Sequence, residues 1–141
     1  MMNEEIRTIM TTNPTTVGPT DTIAEVSNLM LSKRLQQMPV VDGDGHLVGL
    51  ITSYDLWRCC QNSLATTTLI SKVMNTDVVK LAPKDKVGAA AELFMDKRFK
   101  TFPVVNLDNK LKGVITAFDV IKYSLRKEYP IDGILYREVM K

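Results

Sequence analysis

Apolar positions in the first sixty residues change period in a set order, and each change predicts an element. The short piece Thr15-Thr16-Val17 reads as extended chain. Behind it, Pro19-Thr20-Asp21-Thr22-Ile23-Ala24-Glu25 offers helix-start chemistry, with Asp21 or Thr22 as N-cap and Glu25 placed to close a capping box. Ile23, Val26 and Met30 then recur on one helical face. Met38-Pro39-Val40-Val41 is an apolar strand whose proline suits a strand start or edge. The turn Asp42-Gly43-Asp44-Gly45 separates it from a second strand, Leu47-Val48-Gly49-Leu50-Ile51. A final helix begins near Ser53 and carries Leu56 and Trp57. The order predicted is β-α-β-β-α.

The same order returns further along. Met10 aligns with Met74, Pro39 with Pro103 and Asp55 with Asp119, all at one offset and without a gap. Over residues 6–58 against 70–122, 17 of 53 positions are identical, where chance would give roughly one in twenty. Val87, Ala90 and Phe94 repeat the helical face of Ile23, Val26 and Met30. Two units are too few for a solenoid, so the repeat predicts a duplicated half-domain. A unit of about fifty residues is marginal alone, so the two are expected to share a core. The divisions read from the chain are 1–60, first motif; 61–69, polar linker; 70–125, second motif; and 126–141, a C-terminal extension. In that extension Ile131, Leu135 and Val139 follow Pro130 at helical spacing and predict a short amphipathic helix.

Composition narrows the function classes. With 141 residues and 45% apolar content, the chain can build a core without metal or disulfide. Cys59 and Cys60 are adjacent, a spacing that disfavours a bridge between them, and they read as reduced thiols. The acidic opening Asn3-Glu4-Glu5 is unlike a signal peptide and no apolar run reaches membrane-spanning length, so a cytoplasmic protein with no membrane partner is expected. The +2 net charge comes from 18 basic and 16 acidic residues spread along the chain, which argues against nucleic-acid binding. His46 is the single histidine and sits beside the turn, where a solvent role is expected; a histidine-based triad or a multi-imidazole metal site is left without material. Asp42-Gly43-Asp44-Gly45 lacks the spacing and terminal glutamate of a calcium loop. Met30 and Met95 are expected to pack in the core. No metal, required cofactor or catalysis is expected.

One constellation remains. Thr52 and Asp55 fall at a strand exit and in the first turn of a helix, and Thr116 and Asp119 repeat them. A carboxylate there can accept hydrogen bonds from the vicinal hydroxyls of a ribose, while the hydroxyl and the free N–H groups of the helix start can meet phosphate. The same spacing is also an ordinary capping box, and the two roles can coexist.

Pro39-Val40-Val41-Asp42 with Gly49-Leu50-Ile51-Thr52-Ser53-Tyr54-Asp55, repeated as Pro103-Val104-Val105-Asn106 with Gly113-Val114-Ile115-Thr116-Ala117-Phe118-Asp119, resembles the CBS-domain signature. Ile9-Met10 and Val73-Met74 fit its opening. The resemblance implies a stand-alone tandem pair, a Bateman module, of mixed α/β fold (α+β), with two β-α-β-β-α motifs related by a pseudo-two-fold axis and two clefts between them. It implies a regulatory, ligand-sensing function, an adenine nucleotide (AMP, ADP or ATP) as effector ligand, a homodimer, and an effector protein partner; the alternative is a structural docking module with empty clefts. Carried over residue by residue, it places Thr116, Asp119 and Lys100 in one cleft, with Thr16, Leu35 and Met38 around the base. The other cleft receives Thr52, Asp55 and Gln36, with Lys80, Phe99 and Phe102. Gln36-Gln37 and Lys100-Thr101 depart from the more basic pattern of energy-sensing members, and Lys100 ranks the Asp119 cleft as the tighter phosphate site. Lys33-Arg34 and Lys97-Arg98 fit either phosphate or a solvated helix end.

Overall fold

A computed structural model describes residues 3–95 and 100–128. The expected C-terminal helix, together with Lys97, Arg98 and Phe99, lies outside the described residues. In chain order the elements are α1 (Ile23–Lys33), β1 (Gln37–Val41), β2 (Leu47–Thr52), α2 (Ser53–Gln61), α3 (Val87–Phe94), β3 (Thr101–Val105), β4 (Leu111–Thr116) and α4 (Ala117–Glu128). Single turns of 3-10 helix occupy Ile6–Thr8 and Ile70–Lys72. The class is mixed α/β, as the pattern predicts.

Each copy holds one antiparallel hairpin, β1 with β2 and β3 with β4, in matching register. The turns match as well. Asp42 Oδ1 accepts the N–H groups of Asp44 and His46, and Asn106 Oδ1 accepts those of Asp108 and Lys110. Gly45 (φ 85°) and Asn109 (φ 62°) take the left-handed conformation that each turn requires. The hairpins meet at His46 and Lys110, which form a bridge with each other. These residues are repeat mates, so the pseudo-two-fold axis passes between them. His46 is half-buried beside Asp42, with the side chains 3.3 Å apart.

The expected first strand is reduced to one residue. Val17 bridges Val40 in parallel, as Leu81 bridges Val104, and neither neighbourhood extends into a strand. Pro14 and Pro19 bracket the first piece and Pro83 follows the second, and proline has no N–H to extend a ladder.

The opening segments cross over. Ile6 and Arg7 donate backbone hydrogen bonds to Asp85 and Pro83 of the second copy, and Ile70 and Ser71 donate to Asp21 and Pro19 of the first. Two cores result, each completed by the other copy. Val26, Met38, Val40, Ile51 and Leu56 enclose Ile70, and Val87, Ala90, Phe102, Val104 and Ile115 enclose Ile6. The crossing also explains two glycines. A Cβ on Gly49 would lie 2.8 Å from the Asn75 carbonyl oxygen, and one on Gly113 would lie 2.5 Å from that of Thr11. Farther out, Glu4 accepts a hydrogen bond from the Tyr123 hydroxyl and pairs with Lys127 at 3.0 Å, tying the opening segment to α4. These contacts, the Tyr123 bond foremost, hold the Glu4 carboxyl at about 2.

Thr22 is the N-cap of α1, with a complete capping box to Glu25. Asp21 instead accepts the Gly18 N–H. Met30 is buried as expected, but Met95 is 78% exposed. The reason is its place in the repeat: Met95 matches exposed Leu31, whereas Phe94 takes the place of Met30 and packs its ring against Phe102, with centroids 4.8 Å apart. Both thiols are free; Cys59 is buried, which pushes its pKa up, and Cys60 is exposed. Among the described residues no helix is long and apolar enough to cross a membrane.

Candidate functional site

At the end of β2 the chain turns directly into α2, and Thr52 and Asp55 hold the junction. The Thr52 hydroxyl accepts the Asp55 N–H at 3.1 Å, and Asp55 Oδ2 accepts the Thr52 N–H at 2.9 Å. Thr116 and Asp119 repeat the pair between β4 and α4, both at 3.0 Å. The capping role is therefore present in both copies. It occupies one site on one oxygen of each carboxylate, out of about four such sites.

What fills the others differs between copies. Asp55 Oδ2 also accepts the Asn75 side-chain amide at 3.1 Å, and Oδ1 accepts Arg58 at 2.7 Å. The Arg58 guanidinium lies 5.2 Å from the centre of the Tyr54 ring. In the second copy Thr11 donates to Asp119, at 3.3 Å to Oδ2 and 3.5 Å to Oδ1. Lys122, the counterpart of Arg58, rests over the Phe118 ring instead. Asn75 and Thr11 are the opening residues that cross between copies, so each aspartate is held by a residue of the other copy.

A cavity of about 420 Å³ opens in front of Asp55, walled by Thr52, Ser53, Gln36 and Arg58 of the first copy and by Asn75 and Lys100 of the second. Asn75 also lines a narrow apolar slot formed by Leu50, Val78, Val79 and Phe102. Thr52, Asp55, Gln36 and Lys100 are thus gathered around one composite cleft, while buried Phe102 lines only the small slot beside it. The Lys100 N–H donates to Gln37 Oε1, and its carbonyl accepts the Ala117 N–H, which fixes this residue between the copies.

Other expected site residues sit elsewhere. Lys80 Nζ donates to Asn109 Oδ1 and lines a separate depression. Leu35 lies in an apolar groove between α1 and α2. Met38 is wholly buried in the first core, and Thr16 is half-buried next to bridging Val17. Phe99 lies outside the described residues. Asn75, Thr11 and Arg58 are absent from the sequence-derived site. A signal for the first two exists, since a polar residue follows Met10 and Met74 in both copies; its direction across the molecule does not show in one dimension. Asp42, Asp44 and His46 bring ligand atoms within 4.8 Å of one another on the exposed turn, where Asp42 is already engaged by backbone N–H groups.

Two hairpin-helix units joined by crossed segments, with a Thr-x-x-Asp cap at each junction, define a tandem repeat with clefts shared between its halves. Residues 6–56 and 70–126 each match the CBS domain, and the chain belongs to that family. It is similar in structure to CBSX2 from Arabidopsis thaliana, solved in complex with AMP: TM-score 0.81, 25% identity, 89% of this chain and 98% of that one covered. Protein MJ1225 from Methanocaldococcus jannaschii matches with a TM-score of 0.77 and 28% identity, over 86% of this chain and 48% of that one. An inosine-5'-monophosphate dehydrogenase of the same organism is 35% identical over 115 residues, 82% of this chain. The chain spans only 22–24% of the length of the first three curated relatives it matches, all of them enzymes by name.

Proposed function

We propose that this CBS pair is a regulatory module that senses an adenosine-containing ligand, such as AMP, ADP or ATP, in the clefts at Asp55 and Asp119. The observation that carries the reading is the composite cleft at Asp55. It sets a carboxylate suited to a ribose diol beside two cations suited to phosphate, Lys100 and Arg58, on the walls of one cavity of about 420 Å³. The complex of CBSX2 with AMP supports the ligand class. Sensing follows from the construction of the walls. Thr52, Asp55 and Gln36 come from one copy and Asn75 and Lys100 from the other, so a ligand touching both has different affinity for different poses of the halves and shifts their balance.

One observation favours a second reading, a docking module whose clefts stay empty. Asp55 is already met by Thr52, Asn75 and Arg58, so a ribose must displace part of that set. Thermal unfolding separates the readings. A ligand that binds only the folded chain stabilises it by about 2.7 kcal/mol at a hundredfold excess over Kd, so AMP should raise Tm and GMP should raise it less. Equal shifts with both nucleotides, or none at millimolar concentration, would leave the docking module.

A further inference from the structure

The largest of the cavities described, about 800 Å³, lies away from both aspartates. Its floor is aliphatic, from Leu81, Pro83 and Val105, and its rim carries Arg7, Lys80 and Lys84. Leu107 stands fully exposed at the tip of the β3–β4 turn beside it. We infer that this depression is a docking site for an acidic segment of a partner protein, one that sets an apolar side chain on the floor and carboxylates against the rim. The inference goes beyond nucleotide sensing and does not depend on it.

The repeat supplies an internal control. The same backbone recurs in the first copy, where Ser71 donates to the Pro19 carbonyl as Arg7 donates to that of Pro83. At the positions of Arg7, Lys80 and Lys84 the twin wall has Ser71, which crosses from the second copy, and Thr16 and Thr20, and Gly43 stands where Leu107 stands. Asn106 of the basic wall corresponds to Asp42, while Asp85 and Asp21 are common to both. One wall therefore carries three cations and one carboxylate, and its twin carries two carboxylates and no cation. A fold requirement would act on both copies alike; the difference in sign is specific to one face. The gathering arises only in three dimensions, because Arg7 reaches the second copy through the crossed opening segment. Glu5 pairs with Arg7 and offsets its charge, and Lys86 and Lys84 also help hold the Glu5 carboxyl below the ordinary range, so the positive excess of the wall rests on Lys80 and Lys84. Lys80, by contrast, meets only the neutral amide of Asn109 in its hydrogen bond.

The floor decides between anionic partners. Single-stranded nucleic acid is held by stacking on aromatic rings along a run of cations. None of the residues lining this depression is aromatic, and its three cations surround one aliphatic hollow, which fits a peptide.

The probe is a fluorescein-labelled peptide of alternating glutamate and leucine, followed by anisotropy at physiological salt. Lys80→Glu with Lys84→Glu should weaken binding by roughly tenfold or more, whereas Lys33→Glu with Lys72→Glu, an equal change in net charge at residues that do not line the depression, should stay within about twofold. Leu107→Ser should weaken it about threefold through the lost apolar contact. Circular dichroism establishes that each variant is folded, and Lys80→Gln with Lys84→Gln replaces the charge reversal if that pair is not. Equal losses in the two double variants would overturn the inference by reducing it to net charge. So would tighter binding of a single-stranded oligonucleotide of matched charge, or no peptide binding at about 1 mM. A change in sedimentation caused by Lys80→Glu with Lys84→Glu would also overturn it, assigning the depression to a second copy of the chain.

Discussion

Asp55 and Asp119 stand at the same place in two copies of one motif, yet a ligand meets them under different conditions. Arg58 holds Asp55 Oδ1 at 2.7 Å, while among the described residues Asp119 Oδ1 has only the long contact with Thr11. From the residues alone, Lys100 ranks the Asp119 cleft first for phosphate. In the fold Lys100 walls the cavity of Asp55, because the segment before β3 runs between the copies. The phosphate contact of Lys100 is accordingly expected at Asp55. Hydrogen bonds to charged groups contribute about 1.5–3 kcal/mol, or roughly ten- to a hundredfold in affinity. Calorimetry on Lys100→Gln should show a loss of that size for AMP and almost none for adenosine, which has no phosphate. An equal loss for both would mean that Lys100 shapes the cavity without meeting the phosphate.

Helix starts give the element scale a direct comparison. α1 and α2 carry complete capping boxes, Thr22 with Glu25 and Thr52 with Asp55, whereas α3 begins at Lys86 with no side-chain cap. A threonine N-cap contributes about 1 kcal/mol relative to alanine. Thr22→Ala should lower the free energy of unfolding in urea by about that amount, and Lys86→Ser should raise it by up to about 1 kcal/mol, since Lys86 already has the extended backbone of an N-cap. No gain in the serine variant would mean that contacts of the lysine offset the new cap. These starts were legible in the sequence because capping is local: Thr22 and Glu25 lie three apart, and both readings of the N-cap led to the same helix. The hairpins were legible for a similar reason, with apolar runs of strand length joined by a short polar turn. The first strand is the over-reading: Thr15-Thr16-Val17 predicts an extended strand, but pairing is confined to the single bridge of Val17 with Val40. Asn75 was missed although its chemistry suits the site, since its partner Asp55 lies twenty residues back in the other copy. The repeat offset says which residues correspond; it does not say that the opening segments change sides.

At the scale of the whole molecule, the duplicated plan leaves matched apolar positions uncovered. Leu31 and Met95, Tyr54 and Phe118, and Trp57 and Ile121 are repeat mates, and all six are more than half exposed. They lie on or at the ends of the helices, where α1 packs with α2 and α3 with α4, and an apolar groove of about 520 Å³ runs between α1 and α2. Scattered exposed apolar residues need no explanation, but the same three positions in both copies do. A second chain related by a two-fold axis perpendicular to the pseudo-two-fold would meet both helix pairs at once with like surface, the isologous arrangement that closes a dimer. Burying one large apolar side chain contributes about 1.5–3 kcal/mol, so the matched sets offer enough to offset the cost of association if most are covered. Sedimentation equilibrium at tens of micromolar should therefore give the mass of a dimer. Leu31→Glu with Trp57→Glu should shift it to monomer, because a dimer would then bury carboxylates in an apolar contact. The circular dichroism spectrum should not change, since both side chains are exposed in the single chain. A wild-type chain that sediments as a monomer, or a variant that stays dimeric, would exclude this helix face as the dimer contact.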